Sequence, residues 1–407
     1  MKQSTAILTF TCLLLLAMGQ RDSPTGQPPA ELDAFVRGNT AFGFDLARRL
    51  AAPDVNLFCS PYSVAAAVAV ARSGARGSTE QQTVRALRFP SRAETQTALA
   101  RIRKSIADAS HGQRVTLATA TGVWARMNYG FGQEFLRRAH DAFGAEVKLV
   151  DFDLHPDRTA GEVEAWVRRQ THGKIDHALP PNAVTADSRL LFVNTIYFKG
   201  QWASRFNPRE TKDKAFRVSA AQTIPVPMMR QTHPARYVET DLLQAIELPY
   251  IGLDLSMIVL LPRQLDGLSE LERCLSWTQL TNWFAAAQWR TVDLELPRFK
   301  LTSHFSLVQP LCAMGMTDAF DRSKADFTGM TPQRPLWIQF LQQCATVEVN
   351  EEGTVAAAAT SGGMGCGPPR VPPPATFHAD HPFLFLIRDN HTATILFLGH
   401  LTNPATA

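Results

Sequence analysis

Cysteine is scarce in this sequence of 407 residues, which has six of them at widely separated positions and none in a CxxC pair. A chain of this length buries a large apolar core, so it does not need a disulfide framework for stability. Zinc sites need closely spaced Cys and His ligands, and that pattern is missing too. We therefore expect no disulfide framework and no metal site, and we interpret Cys366, among glycines and prolines, as an exposed free thiol.

A surplus of either charge is also missing, because 41 Lys and Arg stand against 37 Asp and Glu, for a net charge of +4. Proteins that bind nucleic acids carry a larger basic excess or long basic runs. The apolar run at residues 6–17 is too short for a bilayer, which a helix crosses with about 20 apolar residues. We therefore expect no nucleic-acid partner and no membrane partner.

Signatures of catalysis are missing as well. The sequence has neither the GxSxG motif of many serine hydrolases nor the HExxH motif of zinc proteases. The glycines of GGMGCG, residues 362–367, precede no helical pattern, so they do not form a phosphate-binding loop. We expect a protein that is not an enzyme and that needs no cofactor.

Among the features that are present, the first is an N-terminal targeting signal. Lys2 precedes the apolar run, and small residues follow it up to Gly19, a pattern typical of a secretory signal cleaved before Gln20. The sequence thus predicts a signal peptide at 1–19, a polar and proline-rich tether at 20–30, and a secreted, extracellular protein (periplasmic in a bacterial host). A buried N-terminal helix is the alternative.

Apolar periodicity gives helical patterns in the first half of the remaining chain and strand patterns in the second half. Ser60 and Pro61 predict the start of a helix so rich in Ala and Val that it should be buried almost all round. The other helical patterns cover residues 31–50, 79–88, 93–109, 133–143 and 159–171. The strand patterns cover residues 189–202, 245–262, 291–301 and 382–401. Without an internal repeat or a linker, residues 31–404 are expected to form one large α+β domain.

The segment from about 351 to 377 fits neither pattern. It begins EEGTVAAAATSGG and ends in a stretch with five prolines, at 368, 369, 372, 373 and 374. These prolines exclude a regular helix or a central strand there. A connection this long between strong strands is usually functional, with a disordered linker as the alternative.

The alanine run within this segment is compatible with a strand. Because side chains alternate along a strand, Thr354, Ala356 and Ala358 would share one face with Thr360. Every residue of this run is small or β-compatible, so the segment can be solvated in one state and lie between two existing strands in another.

The chain resembles a serpin, a member of the serine protease inhibitor superfamily, over nearly all of residues 31–404. The resemblance rests on blocks that occur in the family's order. They are NLFCSPYSVAAAVAVARSGARGST, NTIYFKGQWASRFNPRETKDKAF, ELPYIGLDLSMIVLLP, EVNEEGTVAAAAT and FHADHPFLFLIRDNHTATILFLGHLTNP. It implies a serpin fold, a single domain with a helical N-terminal half, three β-sheets and an exposed reactive-centre loop at about 351–377.

The resemblance also implies a mechanism. A serpin offers its loop to a serine protease, forms an acyl-enzyme, and inserts the cut loop into its central sheet as a new strand. A monomeric, irreversible suicide inhibitor of a secreted serine protease is therefore expected. The hinge of the loop would be Glu351, Glu352, Gly353, Thr354, Val355, Ala356, Ala357, Ala358, Ala359 and Thr360. No proline, charge or bulk interrupts residues 354–363, which favours inhibition over the alternative, a non-inhibitory carrier or chaperone.

The scissile bond has more than one candidate. Arg370–Val371 carries the only basic side chain between residues 352 and 377, and an arginine would fit a trypsin-like pocket. The family's usual spacing from Glu351 points instead to Gly367–Pro368, a bond that serine proteases cut poorly. Further alternatives are Cys366 and Met364.

Residues that control opening of the central sheet in serpins correspond here to Ser60, Ser63, Asn194 and Trp202. Gln343 occupies a position where the family usually has a histidine. Since a glutamine side chain both donates and accepts hydrogen bonds, we expect opening to be tuned differently, with loss of inhibition as the alternative.

Two surface features remain. Arg101, Arg103 and Lys104 lie near the helix with which some serpins bind heparin; a solvated helix face is the preferred interpretation, and weak polyanion binding is the alternative. Asn390 begins a glycosylation sequon whose use depends on the host and on access to a tight hairpin.

Overall fold

A computed structural model of the chain describes residues 27–52, 54–110, 115–175, 177–352 and 373–406. The helices are α1 (Asp33–Leu50), α2 (Pro61–Gly74), α3 (Gly77–Leu87), α4 (Arg92–Ala109), α5 (Gln133–Phe143), α6 (Pro156–Gln170), α7 (Leu268–Cys274), α8 (Trp277–Ala286) and α9 (Val308–Ala313). None of the described helices is long and apolar enough to cross a membrane.

The strands alternate with these helices in the first half of the chain and dominate the second. They are β1 (Leu57–Cys59), β2 (Val115–Arg126), β3 (Glu146–Val150), β4 (Leu190–Gly200), β5 (Lys212–Arg217), β6 (Thr223–Glu239), β7 (Leu243–Pro249), β8 (Leu255–Pro262), β9 (Gln288–Pro297), β10 (Phe299–Ser306), β11 (Phe340–Val349), β12 (Ala375–His378), β13 (Phe383–Asp389) and β14 (Ile395–Leu401).

Five strands form one sheet in the order β10-β11-β4-β2-β3. β11 is antiparallel to β10 but parallel to β4, and β4 is antiparallel to β2. The order places two strands that are far apart in sequence, β4 and β11, side by side in the middle of this sheet.

The remaining strands form a second ladder in the order β1-β14-β13-β8-β7-β6-β9-β12, with β5 also on β6. The long β6 pairs with β5 and β9 over most of its length and with β7 at its end. By hydrogen bonding this ladder is one nine-stranded sheet, because β6 is shared along its length, so the described residues form two hydrogen-bonded sheets where the resemblance implies three.

Helix α2 shows how the sequence sets local structure. The Ser60 hydroxyl accepts a hydrogen bond of 3.1 Å from the Ser63 backbone N–H, and Pro61 occupies the first helical position. Almost every residue of α2 is buried, as its Ala and Val content predicts. The helix thus begins directly beneath the five-stranded sheet, against which it packs in the main core.

A smaller core lies on the opposite face of that sheet. Trp166 and Val163 of α6 pack on Trp124 of β2 and on Val193 of β4 and Cys344 of β11. The two tryptophan rings meet edge to face, with their centroids 5.2 Å apart. Helix α6 and the chain that follows it therefore cover the outer face of the sheet where β4 and β11 meet.

Candidate functional site: the seam between β4 and β11

The hydrogen-bonded boundary between β4 and β11, here called the seam, is the feature that the fold offers for function. It pairs Phe340–Val347 with Leu191–Phe198 in eight register positions. β11 leads directly to Glu351 and Glu352, where the described chain stops before residue 353. The site's known elements are therefore the seam and the start of the hinge.

Most of the predicted loop lies outside the described residues. This holds for the hinge residues Gly353 to Thr360 and for the reactive-bond candidates Met364, Cys366, Gly367, Pro368, Arg370 and Val371. The signal peptide at 1–19 and most of the tether also lie outside them. At the other end of the loop the chain is described again from Pro373, and β12 begins at Ala375, before the loop end expected near residue 377.

Gln343 joins the two strands of the seam to the start of α2. Its amide oxygen accepts a hydrogen bond of 2.9 Å from the Ser60 N–H, and its amide nitrogen donates to the Ser60 carbonyl at 3.0 Å and to the Asn194 side-chain oxygen at 3.1 Å. All three residues are buried. We call Gln343, Ser60 and Asn194 the latch, because sliding β11 away from β4 must break bonds among them.

The Gln343 amide supplies the hydrogen-bond donors and the acceptor that the latch requires. Two of its partners are acceptors and one is a donor, so the residue at position 343 must donate twice and accept once. A glutamine amide does this without changing protonation state. The latch therefore holds with the same bonds across physiological pH, whereas a neutral imidazole has only one donor and one acceptor.

Two other predicted sheet-opening residues differ in their roles. Ser63 contributes its backbone N–H to the Ser60 hydroxyl, while its own hydroxyl has no hydrogen-bond partner among the described residues. Trp202 lies away from the latch and donates from its indole nitrogen to the Asn350 carbonyl at 2.8 Å. Position 350 is seven residues beyond Gln343, or about 23 Å along an extended strand.

Around Trp202 a second cluster, here called the hinge anchor, holds the end of β11. The Trp202 ring stacks on Tyr250, with ring centroids 4.6 Å apart. Glu351, 6% exposed, accepts hydrogen bonds from the Thr211 hydroxyl at 2.6 Å and from the Arg298 guanidinium. The first residue of the predicted hinge is thus buried and paired.

The electrostatics of Glu351 reflect two opposing effects. Burial raises the pKa of this carboxyl, but the hydrogen bonds from Arg298 and Thr211 outweigh that effect, so its pKa lies below its ordinary value. Glu351 is therefore an anion at neutral pH, and its ion pair ties the end of β11 to Arg298 between β9 and β10.

Glu352 is tied to the other side of the seam. Its carboxylate lies 3.2 Å from the ammonium of Lys199, near the end of β4. Burial lowers the pKa of Lys199, but the hydrogen bond and charge of Glu352 outweigh this, and the pKa is raised. Glu351 is thus paired with Arg298, between β9 and β10, and Glu352 with Lys199 of β4. These two ion pairs fix the positions of the first two hinge residues.

Sequence reasoning missed two residues of the hinge anchor, Arg298 and Thr211. They lie 53 and 140 residues from Glu351 in the chain, and only the fold brings them together. A weak signal was available, because two adjacent acids at the end of a buried strand need cationic or hydroxyl partners.

The covering chain on the outer face is attached to the seam. The Gln342 side chain, next to the latch, donates to the Ala178 carbonyl at 2.9 Å. The carboxylate of Glu164 on α6 accepts hydrogen bonds from the backbone N–H groups of Ala178 and Leu179 at 2.8–3.1 Å. A new strand in the seam would therefore have to displace or slide beneath this covering chain.

The predicted basic surface on α4 is largely neutralised. Arg101 lies 3.4 Å from Glu31, and Lys104 pairs with Asp108 at 2.8 Å. Arg103 points towards the Ala142 carbonyl of α5, at 3.5 Å. These contacts fit the solvated helix face that the sequence favours.

The sequon residue Asn390 is committed to other contacts in the fold. Its side-chain nitrogen, the atom that carries a glycan, donates to the Leu253 carbonyl at 2.9 Å and to the Ser256 hydroxyl at 2.8 Å. The Thr392 hydroxyl is buried and bonded to Asp389. The folded hairpin therefore does not present this sequon to a modifying enzyme.

The four described cysteines are all free, at positions 59, 274, 312 and 344. Burial raises the pKa of Cys59 and of Cys344 to about 12, so both are unreactive thiols at neutral pH. Cys12 and Cys366 lie outside the described residues. Within the part of the chain that the structure describes, no group of three or more His, Cys, Asp or Glu side chains is placed to hold a metal ion.

Comparisons with known proteins agree on one family. Residues 37–404 match the family model described as "Serpin (serine protease inhibitor)". A leukocyte elastase inhibitor from Equus caballus is 37% identical over 388 residues, which cover 92% of this chain and all of that protein. A serpin B10 from Rhinolophus ferrumequinum is 34% identical over 406 residues, with the same coverage of both chains.

Solved structures give the same result for the fold. Uncleaved ovalbumin superposes with a TM-score of 0.82 at 28% identity, over 91% of this chain and all of ovalbumin. A tumour suppressing serpin superposes with a TM-score of 0.82 at 25% identity, over 91% and 99% of the two chains. The predicted α+β serpin fold is confirmed. The chain belongs to the serpin family of serine protease inhibitors, and it is a protease inhibitor and not an enzyme.

Proposed function

We propose that this protein is an irreversible suicide-substrate inhibitor of a trypsin-like serine endopeptidase. The observation that supports this proposal most directly is the seam, a parallel pair of strands in the middle of a sheet whose second strand leads into the loop. A protease cleaves the loop and is held as an acyl-enzyme, and the cut segment then enters the seam.

The topology gives the inserted strand its direction. A segment that folds back after β11 runs antiparallel to β11, and, because β4 is parallel to β11, it also runs antiparallel to β4. Insertion thus replaces one parallel ladder by two antiparallel ladders. Antiparallel pairing is slightly more stable per residue, and each added net hydrogen bond contributes about 0.5–1.5 kcal/mol. The small side chains of residues 354–360 meet the steric demand of that position.

The trypsin-like specificity of the proposal rests on Arg370. It is the only basic residue between positions 352 and 377, and its guanidinium fits a carboxylate at the base of a protease pocket. Several similar proteins are named leukocyte elastase inhibitors, so an elastase is the competing target class. Cleavage at Gly367, Cys366 or Met364 would suit that class better than cleavage at Arg370.

Incubation of the mature protein with trypsin, an elastase and chymotrypsin tests the proposal. We expect a complex with trypsin that survives denaturing electrophoresis, and a released C-terminal peptide that mass spectrometry shows to begin at Val371. The melting temperature should rise by on the order of 10 °C after the loop is cut. A complex with the elastase alone would contradict the trypsin-like specificity and keep the insertion mechanism.

A matched pair of hinge variants isolates insertion from binding. Thr354→Arg places a bulky cation on a face that must become buried, so the loop should still be cut but the complex should be lost. Thr354→Ser keeps a small hydroxyl residue and should inhibit like the wild type. Cleavage of the wild type without any complex or thermal stabilisation would favour the carrier or chaperone alternative.

Secretion, the monomeric state and weak polyanion binding are further parts of the proposal. Expression of the full sequence in a secreting host should release a protein whose first residue is Gln20. Light scattering of that product should give the mass of one chain. Because Arg101 and Lys104, two of the three cations of the predicted basic surface, already pair with carboxylates, heparin should retain the protein only at low salt.

A further inference from the structure

The start of β9 carries an exposed tryptophan that the inhibitory mechanism does not use. Trp289 is 61% exposed, although a side chain of this size is usually well buried. Its neighbours Gln288, Arg290 and Thr291 are exposed as well, while the rest of β9, from Val292, is almost entirely buried. We call residues 288–291 the β9 platform.

The platform lies beside the point where the loop rejoins the fold. β12 runs parallel to β9, with Ala375 opposite Val292 and Thr376 opposite Asp293. Continued back to Pro373, the first residue described after the loop, this register places Pro374 and Pro373 beside Thr291 and Arg290 of the platform. Pro373 and Pro374, the first described residues after the loop, are exposed there.

The platform is held by contacts with neighbouring described residues of β6 and β7. The Arg290 guanidinium lies over the Tyr237 ring, 5.8 Å from its centroid. The Tyr237 hydroxyl donates to Glu239 at 2.8 Å and accepts from the Gln244 amide at 2.7 Å.

That same amide group ties the network to β12. The Gln244 side-chain nitrogen also donates to the Thr376 carbonyl at 2.8 Å. The β9 platform and the strand after the loop are thus fixed to one another by the β6–β7 corner. A surface fixed in this way loses little entropy when a partner binds to it.

We propose that the β9 platform, with Trp289 at its centre, is a docking surface for the body of the target protease. This inference rests on the proposed function, because it places a protease at the loop. A protease–inhibitor interface covers about 800 Å² on each partner, so surface next to the loop can contribute to it. The β9 platform is exposed surface next to β12, where the chain is described again after the loop, and tryptophan is among the residues most often dominant in such interfaces.

The chemistry of the platform describes the part of the protease that it fits. Trp289 offers a broad apolar ring. Arg290 leaves the opposite face of the strand, where it lies over the Tyr237 ring and 4.0 Å from Glu239. The matching protease surface therefore presents an apolar side chain, on the side of the active site that receives the leaving segment.

Association kinetics of Trp289→Ala test this inference, with Leu154→Ala as the matched control. Leu154 is 74% exposed but lies between β3 and α6, on the other sheet. With the protease that forms the covalent complex, Trp289→Ala should lower the second-order rate constant about tenfold, as loss of an interface anchor does. The number of inhibitor molecules consumed per complex should not change, and Leu154→Ala should behave like the wild type.

The outcomes separate this inference from the proposed function. Equal rate constants for Trp289→Ala and the wild type, with covalent complexes in both, overturn the docking surface and keep the inhibitor mechanism. Faster cutting of the Trp289→Ala loop by unrelated proteases would show that Trp289 holds the loop, and would also overturn the docking surface. Absence of a covalent complex from the wild type overturns both.

Discussion

The β13–β14 hairpin and the seam are both buried in the middle of sheets, but they are held together by different chemistry. All seven residues of β13 are buried, and the strand lies between two antiparallel neighbours, β8 and β14. The seam is parallel, and its buried residues include Asn194, Thr195, Gln342, Gln343 and Thr346. The hairpin is mostly apolar, with the charged residues Arg388 and Asp389 at the end of β13, whereas the seam combines apolar residues with a central group of buried polar side chains.

This difference indicates which interface can open. Apolar packing such as that of Phe58 on Phe385 and Phe397 contributes stability from every contact and has no second arrangement of similar energy. The latch has few bonds, and a polar group released from it can bond to another strand's backbone. A sheet that accepts a new strand at one place is therefore expected to have exchangeable polar contacts at that place and apolar packing elsewhere.

The largest effect is expected from a cavity in the hairpin. Leu386→Ala removes a fully buried side chain from the core between β13, β8 and α8, at a cost of about 3 kcal/mol. Since the proposed insertion takes place in the five-stranded sheet and the hairpin belongs to the other sheet, the melting temperatures of intact and loop-cut protein should fall together. Scanning calorimetry of both forms measures this, and a fall confined to the intact form would contradict the comparison.

A smaller but selective effect is expected in the latch. Gln343→Ala leaves buried groups of Ser60 and Asn194 without partners, which costs about 2 kcal/mol. The Gln343–Asn194 bond joins strands that insertion would separate. Gln343→Ala should therefore lower the stability of the loop-cut form less than that of the intact form. The intact Gln343→Ala variant should have a lower melting temperature than the wild type and should self-associate faster on mild heating. An equal fall in the melting temperatures of the intact and loop-cut forms would mean that the latch does not control opening.

Gln343→His changes the pH response of the latch more than its strength. A neutral imidazole can accept from the Ser60 N–H and donate once, at a cost of about 1 kcal/mol for the lost third bond. Because the bond from Ser60 requires the neutral form, the folded-state pKa of this histidine lies below the unfolded value of about 6.5. Stability should then fall as the pH drops through that range, while the wild-type latch shows no such step in melting curves from pH 8 to 5.

The hinge anchor should respond to acid. The folded-state pKa of Glu351 lies below its ordinary value of 4.5, so its stabilisation is complete above that value and is lost as the pH falls through the folded pKa. Glu351→Gln should lower stability by about 1 kcal/mol at pH 7 and should flatten the acid limb of the stability curve. Glu352→Gln is the control and should change the curve less, because the Glu352 carboxylate is mostly exposed whereas that of Glu351 is buried.

Part of the fold was predictable from pattern. Capping at Ser60 and Pro61 and the Ala-rich composition predicted α2, and strong apolar runs predicted β4, β7, β8, β13 and β14. β2 and β6 escaped pattern-based assignment. β2 has a run of small Ala, Thr and Gly residues at 118–122, and β6 contains three prolines, which normally argue against a strand.

The candidate site was predictable only in part. The resemblance pointed to Gln343, Ser60 and Asn194, and the structure brings these three together. It placed Trp202 with them, although the fold puts Trp202 at the hinge anchor. Arg298 and Thr211 were not foreseen, because a hydrogen bond between residues far apart in sequence leaves no periodic trace along the chain.

Composition and local pattern determined that this chain is a globular α+β protein with a small-residue segment able to become a strand, because backbone propensity and side-chain volume act within a few residues. Only the tertiary structure decided that β4 and β11 are adjacent and parallel, that one glutamine bridges both strands and α2, and that Trp289 stays exposed on the strand that pairs with β12. Each of these depends on segments distant in sequence, whose pairing is settled by burial of the whole core.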